Sequence, residues 1–205
     1  MEQCGNGARC VAEWLRLAGR APADVLALDS PGGLVAARLR RPGWVSVDMG
    51  VPDFAPRALP FTAAAEAPSY VLEAAGQRVE FGAVSMGNPH VVLTVPSVAQ
   101  APVATLGPAL ESHPAFPKRV NVGFMEVVDA AHVRLRVFER GVGETLACGT
   151  GACAAVAVGR KAGRLAQQVE VALPGGALAL EWPGPGEHIW MTGPAEVAFR
   201  GRIDD

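Results

Sequence analysis

The amino-acid sequence predicts an α/β protein in which many short strands surround two central helices. The strongest observation is an internal repeat, because segments 4–20 and 148–164 are identical at 8 of 17 positions. Both copies begin with Cys-Gly-x-Gly-Ala and end with Gly-Arg. A second observation is that stretches 119–128 and 132–139 alternate and are rich in valine, which is typical of strands. A third is the total of 24 glycines and 17 prolines, which implies many turns.

Each copy of the repeat predicts one helix. In the first copy, five apolar residues within 8–18 recur at helical spacing, and Gly19 can end the helix. In the second copy the helix is expected from Gly151 to about Ala162, and it carries so few charges that we expect burial on every side. A shorter helix is predicted over 103–111.

Strands are predicted where alternating or valine-rich stretches are bounded by glycine and proline. Residues 25–47 predict a hairpin or meander, interrupted at Pro31-Gly32-Gly33 and Pro42-Gly43. The Pro- and Ala-rich stretch 53–68 predicts a connecting loop, and two strands are expected within 70–95. Further strands are predicted at 119–128, 132–139, 169–173, 177–182, 188–191 and 195–199.

The composition limits the classes of function. A chain of 205 residues that is 50% hydrophobic can bury one sizeable core or two small ones. Charged residues make up 19% and the net charge is -2, so the large basic field that nucleic-acid partners need is absent. The longest apolar runs are too short to span a bilayer. We therefore expect neither a nucleic acid nor a membrane as a partner.

The four cysteines, at positions 4, 10, 148 and 153, favour reduced thiols and a cytoplasmic location. Gaps of five and four residues within the two pairs do not match a zinc ribbon, so no metal site is expected. Four cysteines in a chain of this length also do not resemble a secreted disulfide scaffold. Cys10 and Cys153 lie inside the predicted helices and are expected to be small buried hydrophobes.

Two thiols at helix N-termini predict chemistry at a carbon that bears a weakly acidic hydrogen. Removing the α-hydrogen of an amino acid leaves a carbanion beside a carboxylate, and the developing charge must be stabilised. Helix N-termini offer free backbone N–H groups and a favourable dipole, and their field is expected to lower the pKa of each cysteine. One thiolate would remove a proton while a thiol returns one from the opposite face. A racemase or epimerase without a cofactor requires this arrangement.

A rival interpretation uses the same glycines. Gly149-x-Gly151-x-x-Ala154 matches a dinucleotide fingerprint, and Glu170 lies about 20 residues further on, where a ribose ligand is expected. Against this, the loop 140–147 separates the preceding strand from the glycines, although the fingerprint needs a tight turn there. The first copy also lacks the final small residue, since Cys10 occupies that position.

Segments spread along the chain resemble motifs of the diaminopimelate epimerase family of bacterial lysine biosynthesis. In the family's order they are Gln3–Cys10 (QCGNGARC), Ser85–His90 (SMGNPH), Arg119–Phe124 (RVNVGF), Glu139–Gly141 (ERG) with Ala147–Cys153 (ACGTGAC), and Met191–Pro194 (MTGP). The resemblance implies an enzyme that interconverts L,L-diaminopimelate and meso-diaminopimelate, a small-molecule substrate, with no cofactor. Members of this family tend to pair, which leaves a homodimer open.

The resemblance gives the repeat its chemistry. Cys4 and Cys148 would be the two acid/base residues. The reacting carboxylate would be held by backbone groups of Gly5, Asn6, Gly149 and Thr150. Thr150 stands where serine is also common in the family, a difference that should not matter for a backbone contact.

The resemblance also assigns roles outside the repeat. Glu139 would take the reacting ammonium, whereas Asn88, Asn121 and Arg140 would hold the distal carboxylate. His90 and Glu139 would sit near the thiols and tune their pKa values. Each residue also has an ordinary interpretation: a satisfied loop histidine, asparagines at turns or strand ends, and an exposed pair of opposite charge at 139–140. Only the combination, in the family's order, favours function.

The fold that the resemblance implies has two pseudo-symmetric lobes of short, mostly antiparallel strands, each wrapped around a central helix. The first lobe would comprise residues 1–48 completed by 194–205, and the second would comprise 49–193. The active site would lie in the cleft between the lobes, with Cys4 and Cys148 across it. A disulfide between these two cysteines is a hypothesis for an inactive form, which requires Cα atoms within about 7 Å.

The two copies of the repeat differ in what precedes them. Strands precede Cys148, whereas only three residues precede Cys4. The repeat therefore predicts about sixty or seventy further residues upstream, and the first lobe is expected to be incomplete. Three alternatives to an active epimerase stay open: an inactive truncated fragment of that enzyme, a related proline-racemase-like amino-acid racemase, and a nucleotide-binding α/β domain.

Overall fold

The computed structural model of the protein describes residues 4–30 and 32–202. Residues 1–3, 31 and 203–205 lie outside the described range, and with them Gln3, Pro31 and the ends of the predicted first lobe. The described helices are α1 (Gly5–Leu17), α2 (Val103–Glu111) and α3 (Gly149–Lys161). The described strands are β1 (Val25–Ser30), β2 (Gly33–Leu39), β3 (Trp44–Asp48), β4 (Tyr70–Ala74), β5 (Gln77–Ser85), β6 (Pro89–Thr94), β7 (Asn121–Asp129), β8 (His132–Glu139), β9 (Gly143–Thr145), β10 (Gln168–Leu173), β11 (Gly176–Glu181) and β12 (Trp190–Pro194).

The two halves of the repeat form the same local structure. Cys4 and Cys148 are the N-cap residues of α1 and α3, with extended backbones at φ -117° and φ -128°. Both helices are 13 residues long, and each is followed by a left-handed glycine, Gly19 at φ +66° and Gly163 at φ +70°. Glycine reaches this conformation without steric cost, which explains why both helices end at the same point of the repeat.

A single strongly mixed sheet connects the elements. Its order is β1-β2-β3-β12-β11-β10-β8-β7-β6-β5-β4, and β9 pairs with β8. The pairs β6–β7 and β8–β10 are parallel, and the other pairs are antiparallel. The predicted α/β class with short, mostly antiparallel strands is confirmed. Strand β12 hydrogen-bonds both to β3 and to β11, on either side of the predicted lobe boundary, and the division into lobes stays a prediction.

Helix α3 lies at the centre of the core. Ten of its 13 residues are buried, as its small number of charged residues predicts. Small side chains let strands approach it closely: a Cβ added to Gly82 of β5 would lie 2.3 Å from Cγ1 of Val158. A second apolar cluster forms where α2 covers strands β4 to β7. Within the described part of the chain, no helix is long and apolar enough to cross a membrane.

Three boundaries differ from the prediction. Helices α1 and α3 begin at Gly5 and Gly149, one turn or less before the expected start, because the cysteines cap them. Residues 70–95 hold three strands instead of two, since Ala75 and Gly76 both adopt positive φ and make a tight turn between β4 and β5. The sequence did not indicate this turn, because alanine rarely adopts a positive φ.

Two further predictions are wrong. Residues 195–199 form no strand: β12 already ends at Pro194, and the side chains of Val197 and Phe199 face solvent instead of a core. Cys10 was expected to be buried but is exposed on α1, whereas Cys153 is fully buried in α3 as predicted. Cys10 shares its exposed face of α1 with Val11 and Trp14, so apolar spacing alone did not indicate which face packs.

Candidate active site

The two cysteines of the repeat hold equivalent positions at the helix N-termini. The carbonyl oxygen of Cys4 accepts the first helical bond from Ala8 at 3.0 Å, and that of Cys148 accepts one from Ala152 at 2.9 Å. The Cys4 thiol is exposed and its sulfur accepts the N–H of Gly7 at 3.4 Å. Cys148 is only 5% exposed. The repeat thus produces one accessible thiol and one buried thiol.

The side chain of Met191 lies between the two helix N-termini. A Cβ added to Gly5 would lie 2.4 Å from the Met191 methyl carbon, and one added to Gly149 would lie 3.1 Å from its sulfur. Both first helical residues therefore contact the same side chain, which brings the free N–H groups of both helices to one place. The Asn6 Oδ1 atom is buried nearby, 3.4 Å from the Cβ position on Gly149, and accepts no hydrogen bond within the described residues.

A chain of hydrogen bonds connects a buried histidine to the buried thiol. The His90 Nε2 atom lies 3.0 Å from Asn88 Oδ1, so it carries the proton and donates to that oxygen. The Asn88 Nδ2 atom donates to Thr150 Oγ1 at 3.3 Å, and that oxygen lies 3.6 Å from Cys148 Sγ. The sequence predicted only a backbone contact for Thr150. Its hydroxyl contacts the thiol as well, a feature that no local pattern in the sequence indicated.

The pKa of Cys148 shifts in the direction opposite to the prediction. Burial and, to a smaller extent, the Glu139 carboxylate together raise the pKa of this thiol to about 12, although the Thr150 hydroxyl and the Gly151 N–H act in the opposite direction. Desolvation of a thiolate therefore outweighs the hydrogen bonds that the first turn of the helix provides here. At neutral pH, Cys148 is consequently protonated.

Glu139 lies beside Cys148, at the end of β8. Its Oε1 atom accepts a hydrogen bond from Thr145 Oγ1 at 2.5 Å, so a residue of β9 fixes the carboxylate. Thr145 is a further functional candidate that the sequence did not single out. Without β9, the loop that precedes the second cysteine would leave this carboxylate unsupported.

Asn121 and Arg140 are tied together through the backbone. Asn121 Nδ2 donates to the carbonyl of Pro89 at 2.9 Å, and its Oδ1 accepts the N–H of Arg140 at the same distance. The Arg140 guanidinium also donates to the carbonyl of Lys118 at 3.1 Å. Asn121 is thus placed to orient Arg140 relative to the start of β6, and the role of both residues at a distal carboxylate stays a prediction.

Glu111 was not among the predicted site residues, but it supports the turn at Arg140 and Gly141 that follows β8. It is buried at the end of α2, where its Oε1 accepts the N–H of Gly141 at 2.9 Å. The same oxygen lies 3.2 Å from Arg119 Nη1, and Arg119 has the positive φ of 61°. Glu111 is 28 positions away from Glu139 in the sequence, so no spacing rule could link them.

Predicted site residues therefore fall into three groups. Asn88, His90, Glu139, Thr150 and Cys148 are joined by the contacts described above. Gly5 and Asn6, which follow Cys4 at the start of α1, meet Gly149 of α3: Gly5 and Gly149 both contact Met191, and the Asn6 side chain approaches Gly149 directly. Asn121 and Arg140 form the third group, joined by a hydrogen bond. No group of three or more His, Cys, Asp or Glu side chains within residues 4–30 and 32–202 is arranged to hold a metal ion.

The rival dinucleotide interpretation receives no support from this geometry. The connection from β8 to α3 contains strand β9, so the tight strand-to-helix turn of a phosphate-binding fingerprint is absent. The space at Gly151 is also taken: a Cβ there would lie 3.0 Å from Val137 and 3.2 Å from Cys148 Sγ.

Acid is expected to destabilise the protein through His90. Burial and, to a smaller extent, the Arg140 guanidinium together lower the pKa of His90 to about 3. Because the pKa is lower in the folded than in the unfolded state, the contribution of neutral His90 to stability is fully present above the unfolded-state pKa of about 6.5. It is lost progressively as the pH falls towards 3. Between pH 7 and pH 5 this loss amounts to about 2 kcal/mol of unfolding free energy. Urea unfolding at both pH values should show a smaller loss for His90→Gln, which keeps an N–H donor for Asn88.

A matched control for this prediction is His132→Gln, which removes an exposed histidine. It should change the loss between pH 7 and pH 5 far less than His90→Gln does, because the contact of His132 with Asp129 is exposed and therefore weak. The interpretation is wrong if His90→Gln and the unchanged protein lose the same stability over this range.

Comparison with known proteins agrees with the geometry. The family model for diaminopimelate epimerase matches residues 82–198. Diaminopimelate epimerase of Alkalilimnicola ehrlichii is 57% identical over 204 residues, which cover 98% of this chain and 73% of that protein. The enzyme of the same name from Pseudomonas paraeruginosa is 52% identical over 203 residues, covering 99% of this chain and 74% of that protein.

Solved structures of lower identity share the fold. A hydroxyproline epimerase from Agrobacterium vitis superposes with a TM-score of 0.66 at 20% identity, covering 94% of this chain and 65% of that chain. A phenazine biosynthesis protein of the PhzF family from Enterococcus faecalis gives a TM-score of 0.62 at 15% identity, covering 97% of this chain and 72% of that chain. These similarities establish the architecture, and the sequence identities above establish the relationship. The chain belongs to the diaminopimelate epimerase family.

Proposed function

We propose that this protein interconverts L,L-diaminopimelate and meso-diaminopimelate by two-thiol proton transfer without a cofactor. The observation that carries the proposal is the meeting of two cysteine-capped helix N-termini at Met191. Relatives that bear the name diaminopimelate epimerase, at 57% and 52% identity over nearly the whole chain, support the choice of substrate. Likeness to the hydroxyproline epimerase supports only the architecture.

The two thiols have different resting states in this proposal. Cys148 is buried and protonated, so it is the proton donor at the start of a turnover. The exposed Cys4 is then the base that removes the α-proton from the other face. After one turnover the two protonation states are exchanged, and the reverse reaction starts from there. An enzyme that inverts one carbon in both directions needs this alternation.

The backbone around the thiols binds the reacting carboxylate. Free N–H groups at Gly5, Asn6, Gly149 and Thr150 surround it in the proposal, and both helix dipoles favour the negative charge that develops there. The unpartnered, buried Oδ1 of Asn6 supports a ligand that brings an N–H donor between the helices, as an amino acid does.

The remaining residues recognise the other charged groups. Glu139 takes the reacting ammonium, and its position beside Cys148 puts it within the reacting region. Asn88, Asn121 and Arg140 hold the distal carboxylate. The anchored backbone of Arg140 supports this role, since a fixed guanidinium gives geometric selectivity for a carboxylate.

Assembly, location and domain division are further proposals. Pairing into a homodimer follows only from the tendency of the family. A cytoplasmic location is supported by four free cysteines. The division into lobes at 48/49 and 193/194 places the two thiols on different lobes, and their disulfide would be an inactive form that a reductant restores.

The proposal is tested by following the α-proton signal of L,L-diaminopimelate by proton NMR. The purified protein is incubated in D2O with a thiol reductant. We expect the signal to disappear as deuterium enters, with meso-diaminopimelate formed at the same time. L-Lysine, which lacks the distal carboxylate, is the control substrate and should keep its α-proton. A persistent α-proton signal of L,L-diaminopimelate would refute the assignment.

A further inference from the structure

The Cys148 thiolate has to form in an unfavourable environment. When Cys148 gives its proton to the substrate carbon, its sulfur keeps the electron pair and becomes negatively charged. Its surroundings are 5% exposed and already include the Glu139 carboxylate. Burial without a compensating hydrogen bond is costly for a charged group. The N–H of Gly151 already donates to the sulfur, and beside a carboxylate in this buried place the thiolate needs a further donor.

Thr150 is the side chain that can do this. Its Oγ1 atom lies 3.6 Å from Cys148 Sγ, and Thr150 is only 6% exposed, so water does not compete for the hydroxyl. The first turn of α3 fixes the side chain two residues after the thiol. The contact of Oγ1 with Asn88 Nδ2, at 3.3 Å, holds the hydroxyl on the side of the sulfur.

The direction of the hydroxyl proton follows from its neighbours. Asn88 Nδ2 donates to Thr150 Oγ1 at 3.3 Å, which leaves the hydroxyl hydrogen free to point towards the sulfur. Asn88 is itself oriented, since its Oδ1 accepts from His90 Nε2 at 3.0 Å. Every donor in this series of hydrogen bonds thus points towards Cys148. Hydrogen bonds arranged head to tail strengthen one another in a low-dielectric interior.

We propose that the Thr150 hydroxyl is a further catalytic residue, which donates a hydrogen bond to the Cys148 thiolate, while Asn88 and His90 are positioning residues that orient it. The hydroxyl keeps its own proton throughout, and only the proton of the Cys148 thiol moves to the substrate. This inference rests on the proposed function, because it gives Cys148 the role of an acid that becomes a thiolate.

The inference assigns to the side chain of Thr150 a role separate from its backbone. The backbone N–H is free to bind the reacting carboxylate, and the hydroxyl serves the thiol. A serine at this position would provide the same hydroxyl with less restricted rotation. Valine would keep the shape and the backbone N–H but would remove the donor.

The test is the rate at which iodoacetamide alkylates Cys148 at pH 8, measured by mass spectrometry of the peptide that contains it. The rate reports the thiolate fraction and needs no substrate, so it separates this inference from the proposed function. We expect Thr150→Val to slow alkylation about tenfold, the lower end for a hydrogen bond to a charged group. Thr150→Ser should recover most of this loss. Thr105→Val, the same change at an exposed site on α2, should alter nothing.

Partial unfolding cannot imitate the expected result, since opening the structure would expose Cys148 and accelerate its alkylation. The exposed Cys4, read in the same digest, serves as an internal control and should react at an unchanged rate. The orientation through Asn88 is tested by the double variant of Asn88→Ala and Thr150→Val, whose loss should not exceed that of Thr150→Val. Equal or faster alkylation of Cys148 in Thr150→Val would overturn the inference.

Discussion

Replacing Cys148 by alanine is expected to slow epimerisation about 10³- to 10⁴-fold, and Cys4→Ala should have an effect of similar size. General acid–base groups contribute about 10²- to 10⁴-fold to rates, and in the proposed mechanism each thiol serves one face of the reacting carbon. Inversion should be lost whichever isomer is supplied. The measurement is the conversion of L,L- to meso-diaminopimelate, followed together with deuterium incorporation in D2O.

The chain offers a matched control for this prediction. Cys10→Ala removes a thiol from the same helix as Cys4, on an exposed face away from the N-terminus. It should leave the conversion rate within about twofold, since surface substitutions of this kind have small effects. A Cys148→Ala protein that inverts its substrate at the unchanged rate would contradict the two-thiol mechanism.

The repeat explains why the sequence could predict the centre of the fold. A local signal, Cys-Gly-x-Gly-Ala followed by an apolar run and a closing glycine, predicted both helices and the glycines after which they end, although both begin two or three residues earlier than expected. Burial of α3 followed from its composition as well. The strands β7 and β8 were predicted because their alternation is long and valine-rich. In each of these cases the information lies within about fifteen residues of sequence.

The features that the sequence missed depend on contacts between distant segments. Whether Cys10 is buried depends on which face of α1 meets the strands, and the spacing of apolar residues left two faces eligible. The pKa of Cys148 depends on burial by surrounding elements and on Glu139, which outweigh the hydrogen bonds from Thr150 and Gly151 in the first turn of α3. The hydroxyl of Thr150 acquires its orientation from Asn88, 62 residues earlier.

The same reasoning applies to the loop before the second cysteine. The sequence indicated only a loop at 140–147, although three of its residues form β9 against β8. A strand of three residues is too short for a recognisable pattern. Its effect on the site is nevertheless direct, because Thr145 holds the Glu139 carboxylate that faces Cys148. A supporting residue such as Thr145 can be recognised only from the three-dimensional structure, because its contact depends on how the strands pair.

Among the supporting residues that the sequence did not indicate, Glu111 is the one whose replacement has the largest expected effect. We expect Glu111→Ala to lower the unfolding free energy by about 2–3 kcal/mol, since the variant removes a buried, charged acceptor from the N–H of Gly141. Gly141 follows Glu139 and Arg140 directly, so the turn that carries both proposed substrate ligands would lose its support. A displacement of about 1 Å at such a turn can cost about 10²-fold in activity.

A conservative variant separates support of the turn from general stability. Glu111→Gln keeps an acceptor for Gly141 and gives up only the ion pair with Arg119, which is 55% exposed and therefore weak. We expect kcat/KM of Glu111→Gln to lie within about fivefold of the unchanged protein and that of Glu111→Ala to lie far below it. The loss in Glu111→Ala should appear mainly in KM, because Arg140 is proposed to bind the distal carboxylate.

Glu170→Ala provides the control for Glu111. It makes the same change at an exposed position of β10, so both stability and activity should stay as they are. Urea unfolding and steady-state kinetics below the unfolding midpoint of each variant give the two readouts. If Glu111→Gln were as inactive as Glu111→Ala, the activity would depend on the negative charge of Glu111. The hydrogen bond that its side-chain oxygen accepts from Gly141 would then not be what positions Arg140.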